Sequence, residues 1–271
     1  MIKLLLTDVD GTLVKEGGDK LNPQYYEVIE GLKEEGVTFG VASGRQYASI
    51  EHLFEPVKKD MLFLCNNGTY VTCNGKDTFI DRMDREDVLG IIEDVRRIPS
   101  SILMYDTIEL TYIESGNPGF HRMLRDDYHY AFRQVPDLTR IEEDCIKLSI
   151  YCPENMEGIM SKAFVPKWKD RIKASFSGEC FLDCMRTDSN KGKALLEVQN
   201  LYGIDRSETM VFGDNLNDIE MLSQADFSYA AGNARKEVIK AARYTTAPYW
   251  EDGVLLEMKR LLRFLKEQKN I

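Results

Sequence analysis

Two aspartates, Asp8 and Asp10, follow directly after the short apolar run at residues 2–7. Gly11 permits a sharp turn here, so both carboxylates can face the space beyond the end of a strand. Asp8 can then serve as a nucleophile, and Asp10 as the group that transfers a proton at the leaving oxygen. The simpler interpretation is an aspartate-rich turn that only caps a helix.

Ser43 and Gly44 follow a second apolar run, at residues 37–42. A hydroxyl and free main-chain N–H groups at the start of a helix suit a phosphate oxygen, so both residues are candidates for phosphate binding. Taken alone, Ser43 is also a typical helix N-cap, which is the simpler interpretation of this motif.

Lys191 lies at the start of a predicted helix over 191–202, where its charge opposes the helix dipole. Neutralising a phosphate and holding the nucleophilic carboxylate would explain that placement. Lys193 is the competing candidate, and a lone lysine is usually a solvated surface residue.

Acidic and amide side chains, Asp214, Asn217 and Asp218 among them, follow the apolar strand predicted at 209–212. Oxygen ligands of this kind predict a site for a hard cation, and Mg²⁺ prefers one or two carboxylates together with waters and phosphate oxygens. Calcium is the rival cation, but the EF-hand pattern is absent from this stretch.

Apolar runs alternate with helical patterns in the first and last thirds of the chain, which predicts βαβ units and a parallel sheet covered on both faces. The predicted strands are 2–7, 37–42, 61–65, 209–212 and 227–230. The predicted helices are 22–35, the stretch after Arg45 to about Phe54, 191–202, 215–223 and 253–268. All four polar motifs then lie at strand ends, around one crevice.

The pattern changes in the middle of the chain, where we expect a helix over 84–97 and strands in a separate α+β insert. These strands are predicted at 102–105, 108–112, 145–151 and 180–185. The predicted fold class is therefore α/β, with a Rossmann-like parallel-sheet core over 1–81 and 188–271 and an inserted α+β cap domain over 82–187.

The composition narrows the classes of function. The chain has 271 residues, and 35 basic against 45 acidic residues give a net charge of −10, which argues against nucleic acid or an anionic membrane as the partner. The sequence contains no apolar run of about 18 residues, the length that would predict a membrane span. Six cysteines without a C-x-x-C pair indicate reduced thiols and no zinc site. We expect a cytoplasmic protein.

With these motifs, the sequence resembles the haloacid dehalogenase superfamily, and specifically its Cof-like hydrolases with a type IIB cap. The resemblance covers essentially the whole chain. It rests on DVDGTL at 8–13, SGR at 43–45, NNG at 66–68, NKGKAL at 190–195, GDNLNDIEML at 213–222, AGNARKEVIKAA at 231–242 and EDGV at 251–254.

The resemblance implies a magnesium-dependent phosphatase that acts on small phosphorylated metabolites, such as sugar phosphates. Asp8 would become an aspartyl phosphate, while Asp10 would act as general acid and base. Mg²⁺ would be bound by the side chains of Asp8 and Asp214 and by the main-chain carbonyl of Asp10, with Asp218 orienting these ligands. The groups implied to hold the phosphoryl oxygens belong to Ser43, Gly44, Lys191 and Asn217.

Alternatives remain open at this level. A phosphomutase or phosphotransferase shares both aspartates of the first motif. A receiver-like regulatory protein phosphorylated on Asp8 is disfavoured by Asp10 and by the large insert, and a non-catalytic binder is disfavoured by the complete set of motifs. The sequence names neither the substrate nor the oligomeric state.

Overall fold

The computed structural model describes residues 1–154, 156–177 and 180–269. The chain separates into two compact units. The first unit comprises Met1–Ser43, Ile50–Phe79 and Asn190–Ile271, and the second unit comprises Gly44–Ser49 and Ile80–Ser189.

The described residues form the following strands and α-helices. The strands are β1 (Leu4–Thr7), β2 (Thr38–Ala42), β3 (Leu62–Cys65), β4 (Tyr70–Cys73), β5 (Lys76–Ile80), β6 (Ile102–Asp106), β7 (Thr111–Ile113), β8 (Phe132–Gln134), β9 (Lys147–Tyr151), β10 (Ile172–Ser177), β11 (Phe181–Arg186), β12 (Thr209–Gly213), β13 (Phe227–Ala230) and β14 (Tyr244–Thr245). The α-helices are α1 (Gln24–Glu34), α2 (Tyr47–Glu51), α3 (Arg85–Val95), α4 (Pro118–Arg122), α5 (Met156–Ala163), α6 (Val165–Trp168), α7 (Lys191–Tyr202), α8 (Ile219–Ser223), α9 (Lys236–Ala241) and α10 (Gly253–Gln268).

The first unit is built on a sheet with the strand order β14-β13-β12-β1-β2-β3-β4-β5. The strands from β14 to β3 pair in parallel, and β4 pairs antiparallel with β3. In the centre, Thr7 of β1 pairs with Phe212 of β12 on one side and with Val41 of β2 on the other. The carboxyl ends of these three strands therefore lie side by side.

Apolar side chains on both sides of this sheet explain why it forms. Residues Leu4 to Thr7 of β1 are all buried, as expected for a central parallel strand covered by helices. The amphipathic helix α10 buries Leu255, Met258, Leu261 and Leu265, spaced three or four residues apart on one face, together with Val254. Helix α7 contributes Ala194, Leu195 and Val198 to the core cluster that also contains β1 and β12.

The second unit has a sheet of its own, with the strand order β10-β11-β9-β6-β7-β8. Neighbouring strands pair antiparallel, except for the parallel pair β7 and β8. One face, with Leu148 and Ile150 of β9, packs into a core with residues of helices α3, α5 and α6. The other face combines apolar residues that pack with Phe120 and Leu124 and a group of buried charges.

The predicted α/β class with a parallel core sheet and an additional α+β part is confirmed. Helix 191–202 and the last helix match the prediction, whereas the predicted helix at 215–223 begins as a 3-10 turn, Leu216–Asp218. The predicted strand at 108–112 is displaced to Thr111–Ile113, because Thr107 makes a turn by accepting and donating hydrogen bonds with Leu110. Within the described ranges, no helix is both long and apolar enough to cross a membrane.

Candidate active site

Asp8 lies at the carboxyl end of the central strand β1. Its main-chain N–H donates to the carbonyl of Phe212 at 2.9 Å, which extends the parallel pairing with β12 by one residue. The next residues after β12 and β2 are Asp214 and Ser43, so strand pairing alone brings three predicted site residues to one edge. Only 5% of Asp8 is exposed.

Lys191 connects two of the acidic side chains. Its Nζ donates to Oδ1 of Asp8 at 2.5 Å and to Oδ1 of Asp218 at 2.6 Å. Lys191 is the first residue of α7, after the N-cap Asn190, whose side chain accepts from the N–H of Lys193. The helix start thus aims Lys191 into the acidic cluster, whereas Nζ of Lys193 lies over the ring of Phe79, 5.7 Å from its centroid.

Asp218 and Asp214 complete the acidic cluster. Oδ2 of Asp218 accepts from the N–H groups of Asp214 and Asn215, at 2.9 and 3.0 Å. Both oxygens of Asp218 are therefore occupied by donors of the protein. Asp214 accepts from the Thr12 hydroxyl at 2.9 Å through Oδ1.

The charges of this cluster do not balance. Burial raises the pKa of Asp8 well above its usual range, although Lys191 opposes the shift. Burial and the neighbouring Asp218 raise the pKa of Asp214 to about 6. Burial alone would lower the pKa of Lys191, but Asp218 and Asp8 outweigh that effect and raise it. One ammonium thus faces three carboxylates, so their ionised forms need additional positive charge.

This arrangement fits a divalent cation. Carboxylate oxygens of Asp8, Asp214 and Asp218 lie within 4.8 Å of one another, and hard oxygen donors suit Mg²⁺ or Ca²⁺. Three ionised carboxylates and one lysine leave a formal excess of two negative charges, which one such cation would neutralise. Because the oxygens of Asp218 already accept three hydrogen bonds, Asp8 and Asp214 are the better candidates for direct ligands.

Gly11 is required by the close approach of Asp214. Its φ is +79°, in the left-handed region that favours glycine, and a Cβ atom there would collide with the Asp214 carboxylate. The carbonyl of Gly11 accepts from the side chain of Asn233 at 2.8 Å, and the carbonyl of Asp214 accepts from the N–H of Arg235. The turn after β1 is thereby tied to the loop after β13, a role for Asn233 that its motif did not predict.

Asp10 and Ser43 lie just beyond the carboxyl ends of β1 and β2, which pair in the sheet. Asp10 forms an isolated parallel bridge with Val14, and its carboxylate accepts from the N–H of Gly17 at 2.9 Å. Ser43 is 1% exposed, and its N–H donates to the carbonyl of Leu64 at 2.8 Å. Gly44, the next residue, groups with the second unit.

Asn67 is a site residue without an assigned role in the sequence analysis. Its Oδ1 accepts from Nδ2 of Asn217 at 2.9 Å, and its N–H donates to the carbonyl of Ser43. Its φ of +59° is tolerated by asparagine better than by most residues. The motif at 66–68, with two asparagines before a glycine, is the signal in the sequence for this turn.

Comparisons with known proteins show the family to which the chain belongs. Residues 5–258 match the model of the haloacid dehalogenase-like hydrolases. The 5-amino-6-(5-phospho-D-ribitylamino)uracil phosphatase YbjI of Escherichia coli (strain K12) is 27% identical over 262 residues, which cover 97% of this chain and 97% of the relative.

Solved structures show the same fold over nearly the whole chain. A protein from Eubacterium rectale is 38% identical with a TM-score of 0.89, and the match covers 96% of this chain and 99% of that chain. The subclass IIB sugar phosphatase BT4131 has a TM-score of 0.81 at 24% identity and shares the fold, with coverage of 96% and 98%. The family model spans most of the sequence, so the chain belongs to the haloacid dehalogenase-like hydrolases, and it is a phosphatase of that family.

Proposed function

We propose that this protein is a magnesium-dependent phosphatase that hydrolyses small phosphorylated metabolites through a phosphoryl-enzyme formed on Asp8. The observation that carries the proposal is the buried Asp8 carboxylate, which accepts from Lys191 at 2.5 Å beside two further carboxylates. A nucleophile at the end of a central strand, fixed by a buried cation, suits in-line phosphoryl transfer.

The reaction has two steps. An oxygen of Asp8 attacks the phosphorus, the bond from phosphorus to the leaving oxygen breaks, and Asp10 gives its proton to that oxygen. Asp10 then takes a proton from a water molecule, whose oxygen attacks the phosphorus; the bond from phosphorus to the Asp8 oxygen breaks and inorganic phosphate leaves. This second step restores the free carboxylate of Asp8.

Positive charge and hydrogen-bond donors hold the transferring group. Lys191, Ser43, Gly44 and Asn217 bind the phosphoryl oxygens. Mg²⁺, when bound by the side chains of Asp8 and Asp214 and the carbonyl of Asp10, supplies charge neutralisation for the phosphoryl group. Asp218 acts indirectly, because it fixes Lys191 and the main chain of the Asp214 loop.

We assign residues 1–81 and 188–271 to the catalytic core and residues 82–187 to a type IIB cap that selects the leaving group. Sugar and polyol phosphates are the first substrates to test. The Escherichia coli relative is named for a substrate with a phosphorylated ribityl chain, which makes such compounds a specific choice for the panel.

Phosphate release from this panel tests the proposal. Wild type, Asp8→Asn and Asp170→Asn are compared with Mg²⁺ and with EDTA; Asp170 is an exposed carboxylate of the second unit and serves as the matched control. We expect metal-dependent release that Asp8→Asn lowers by roughly 10³-fold or more and Asp170→Asn preserves. Circular dichroism checks that each variant is folded.

The outcomes separate the possible reactions. Wild-type activity in Asp8→Asn would contradict the assignment of the nucleophile. Transfer of phosphate to an added alcohol at the expense of hydrolysis would identify a phosphotransferase instead. A stable phosphoryl-enzyme that does not turn over would indicate a regulatory protein.

A further inference from the structure

Lys147 is a buried cation in the second unit. It is the first residue of β9 and is 1% exposed, although burying an ammonium group is costly unless it has polar partners. Its Nζ lies 3.5 Å from a carboxylate oxygen of Asp106 and 3.5 Å from one of Asp183, on the neighbouring strands β6 and β11. It also donates a hydrogen bond of 2.9 Å to the carbonyl of Gly44.

The two carboxylates have donors of their own. The Ser149 hydroxyl lies 2.7 Å from Oδ1 of Asp183 and 3.3 Å from Oδ2 of Asp106, and the Thr111 hydroxyl donates to Asp106. Both carboxylates also lie close enough to Lys147 to neutralise its charge. The ammonium group in addition donates a hydrogen bond to the main chain of Gly44.

The segment that follows Ser43 is fastened to the second unit at further points. The side chain of Gln46 donates to the Thr111 hydroxyl at 2.5 Å, and its Oε1 accepts from the N–H of Ala131 at 3.1 Å. The Ser49 hydroxyl donates to the carbonyl of Tyr128. One of the four boundaries between the units accordingly falls at the peptide bond between Ser43 and Gly44.

The hydrogen bond from Lys147 to the carbonyl of Gly44 restricts the orientation of the main chain. The peptide group is planar and trans, so fixing the carbonyl of Gly44 also fixes the opposite direction of the N–H of Arg45. Glycine has no Cβ and samples more backbone conformations than other residues. Without this contact the peptide group between Gly44 and Arg45 could therefore turn in many directions, whereas the hydrogen bond from Lys147 holds it, with the N–H of Arg45, in one.

We propose that Lys147 is a positioning residue for phosphoryl binding, which acts by holding the carbonyl of Gly44 and so orders the turn after Ser43. This inference rests on the proposed function, in which Ser43 and Gly44 bind phosphoryl oxygens. The inference goes beyond that function because it assigns to Lys147, a strand residue of the second unit, an indirect contribution to phosphate affinity. This contribution does not depend on the leaving group. A lysine that only neutralises Asp106 and Asp183 would affect stability alone.

Lys147→Met tests the proposal, with Ser149→Ala as the matched control, because Ser149 contacts both carboxylates but not Gly44. Titration calorimetry with inorganic phosphate and Mg²⁺ measures the affinity of the site without turnover. Steady-state kinetics with p-nitrophenyl phosphate then separates KM from kcat for a substrate with a small leaving group.

We expect Lys147→Met to weaken phosphate binding and raise KM on the order of tenfold. Ser149→Ala should stay within about twofold of wild type, and Lys147→Arg, which keeps a charged donor, should restore part of the affinity. If Lys147→Met does not fold, the variant with Lys147→Met, Asp106→Asn and Asp183→Asn removes the unpaired charges as well as the anchor. It is expected to show the same loss of affinity.

Unchanged phosphate affinity in either folded variant would overturn the role of Lys147. An equal loss in Ser149→Ala would also overturn it, because the effect would then follow from disturbing the buried cluster. Wild type that binds phosphate but releases none from any substrate would contradict the proposed function instead, while the calorimetric comparison would still decide the role of Lys147.

Discussion

The Nζ atom of Lys191 lies 2.5 Å from Oδ1 of Asp8, although 183 positions separate the two residues in the sequence. Neither side chain is solvated: Lys191 is fully buried and Asp8 nearly so. Because the same ammonium group also donates to Asp218, one cation fixes the orientation of two carboxylates. Removing the charge of Lys191 should therefore lower the stability of the protein, because the buried carboxylates would lose their counter-charge.

We expect Lys191→Met to lower the free energy of unfolding by about 3–5 kcal/mol at pH 8, since breaking a buried ion pair leaves uncompensated charge. The loss should be smaller at pH 5. Without Lys191 the folded-state pKa of Asp8, already raised by burial, rises further above its unfolded value, so the destabilisation appears only as the pH rises and this group ionises. Urea unfolding in EDTA at the two pH values measures the difference.

Lys193→Met is the matched control for this experiment. Lys193 is on the same first turn of α7, over the ring of Phe79, and outside the acidic cluster. It should change stability by less than about 1 kcal/mol and with little dependence on pH. Equal losses in both variants would show that the charge of Lys191 has no special role in stability.

Asp214→Asn should stabilise the metal-free protein at neutral pH. The folded pKa of about 6 exceeds the ordinary value of 3.8, so ionised Asp214 lowers the free energy of unfolding, and this loss develops as the pH rises from 3.8 to 6. We therefore expect the Tm of the variant in EDTA to exceed that of wild type by a few degrees at pH 7.5 and to match it near pH 3.5.

Added Mg²⁺ should reverse this order. A ligand of the folded state raises Tm as its concentration exceeds Kd, and Asp214 is a candidate direct ligand. Wild type should gain stability with increasing Mg²⁺, and Asp214→Asn should gain much less. A Tm that rises equally with Mg²⁺ in both proteins would place the cation elsewhere.

Gly11→Ala should weaken metal binding by displacing the Asp214 carboxylate. Gly17→Ala provides a close control, because Gly17 also has a positive φ, +68°, but a Cβ atom there would meet nothing within 4 Å. Both variants should lose about 1–2 kcal/mol of stability from the left-handed backbone. Only Gly11→Ala should also lose the Mg²⁺-dependent rise in Tm; an equal loss in Gly17→Ala would contradict the steric argument.

Local patterns were sufficient to predict which of these residues lie together at one edge of the core sheet. Asp8 and Asp214 each follow a run of buried apolar residues, and parallel strands must end at the same edge of their sheet. The start of α7 was also readable, because Asn190 is a good N-cap and Gly192 lies in the first turn. Lys191, and not Lys193, then occupies the position beside the acidic residues.

Other features depend on contacts distant in sequence. The pairing of Asn67 with Asn217 requires a turn with positive φ that no periodicity reveals. The alternation in β9 correctly predicted one apolar face, with Leu148 and Ile150, but alternation alone would place Lys147 in solvent. Its burial follows from neighbouring strands and from the segment after Ser43, neither of which a local pattern specifies.

Asp10→Asn should separate the two chemical steps according to the leaving group. The p-nitrophenolate ion departs without a proton, so phosphorylation of Asp8 should proceed in the variant, whereas the attack of water lacks its base. We expect a burst of nitrophenol equal to the enzyme concentration, followed by steady turnover about 10²–10⁴-fold below wild type.

An alkyl phosphate, whose leaving oxygen needs the proton, should give no burst, and neither should Asp8→Asn with either substrate. Rapid-mixing absorbance and acid-quenched detection of the phosphoryl-enzyme measure both phases. Unaltered turnover of the alkyl phosphate by Asp10→Asn would exclude Asp10 as the proton-transfer group and leave that role to another residue.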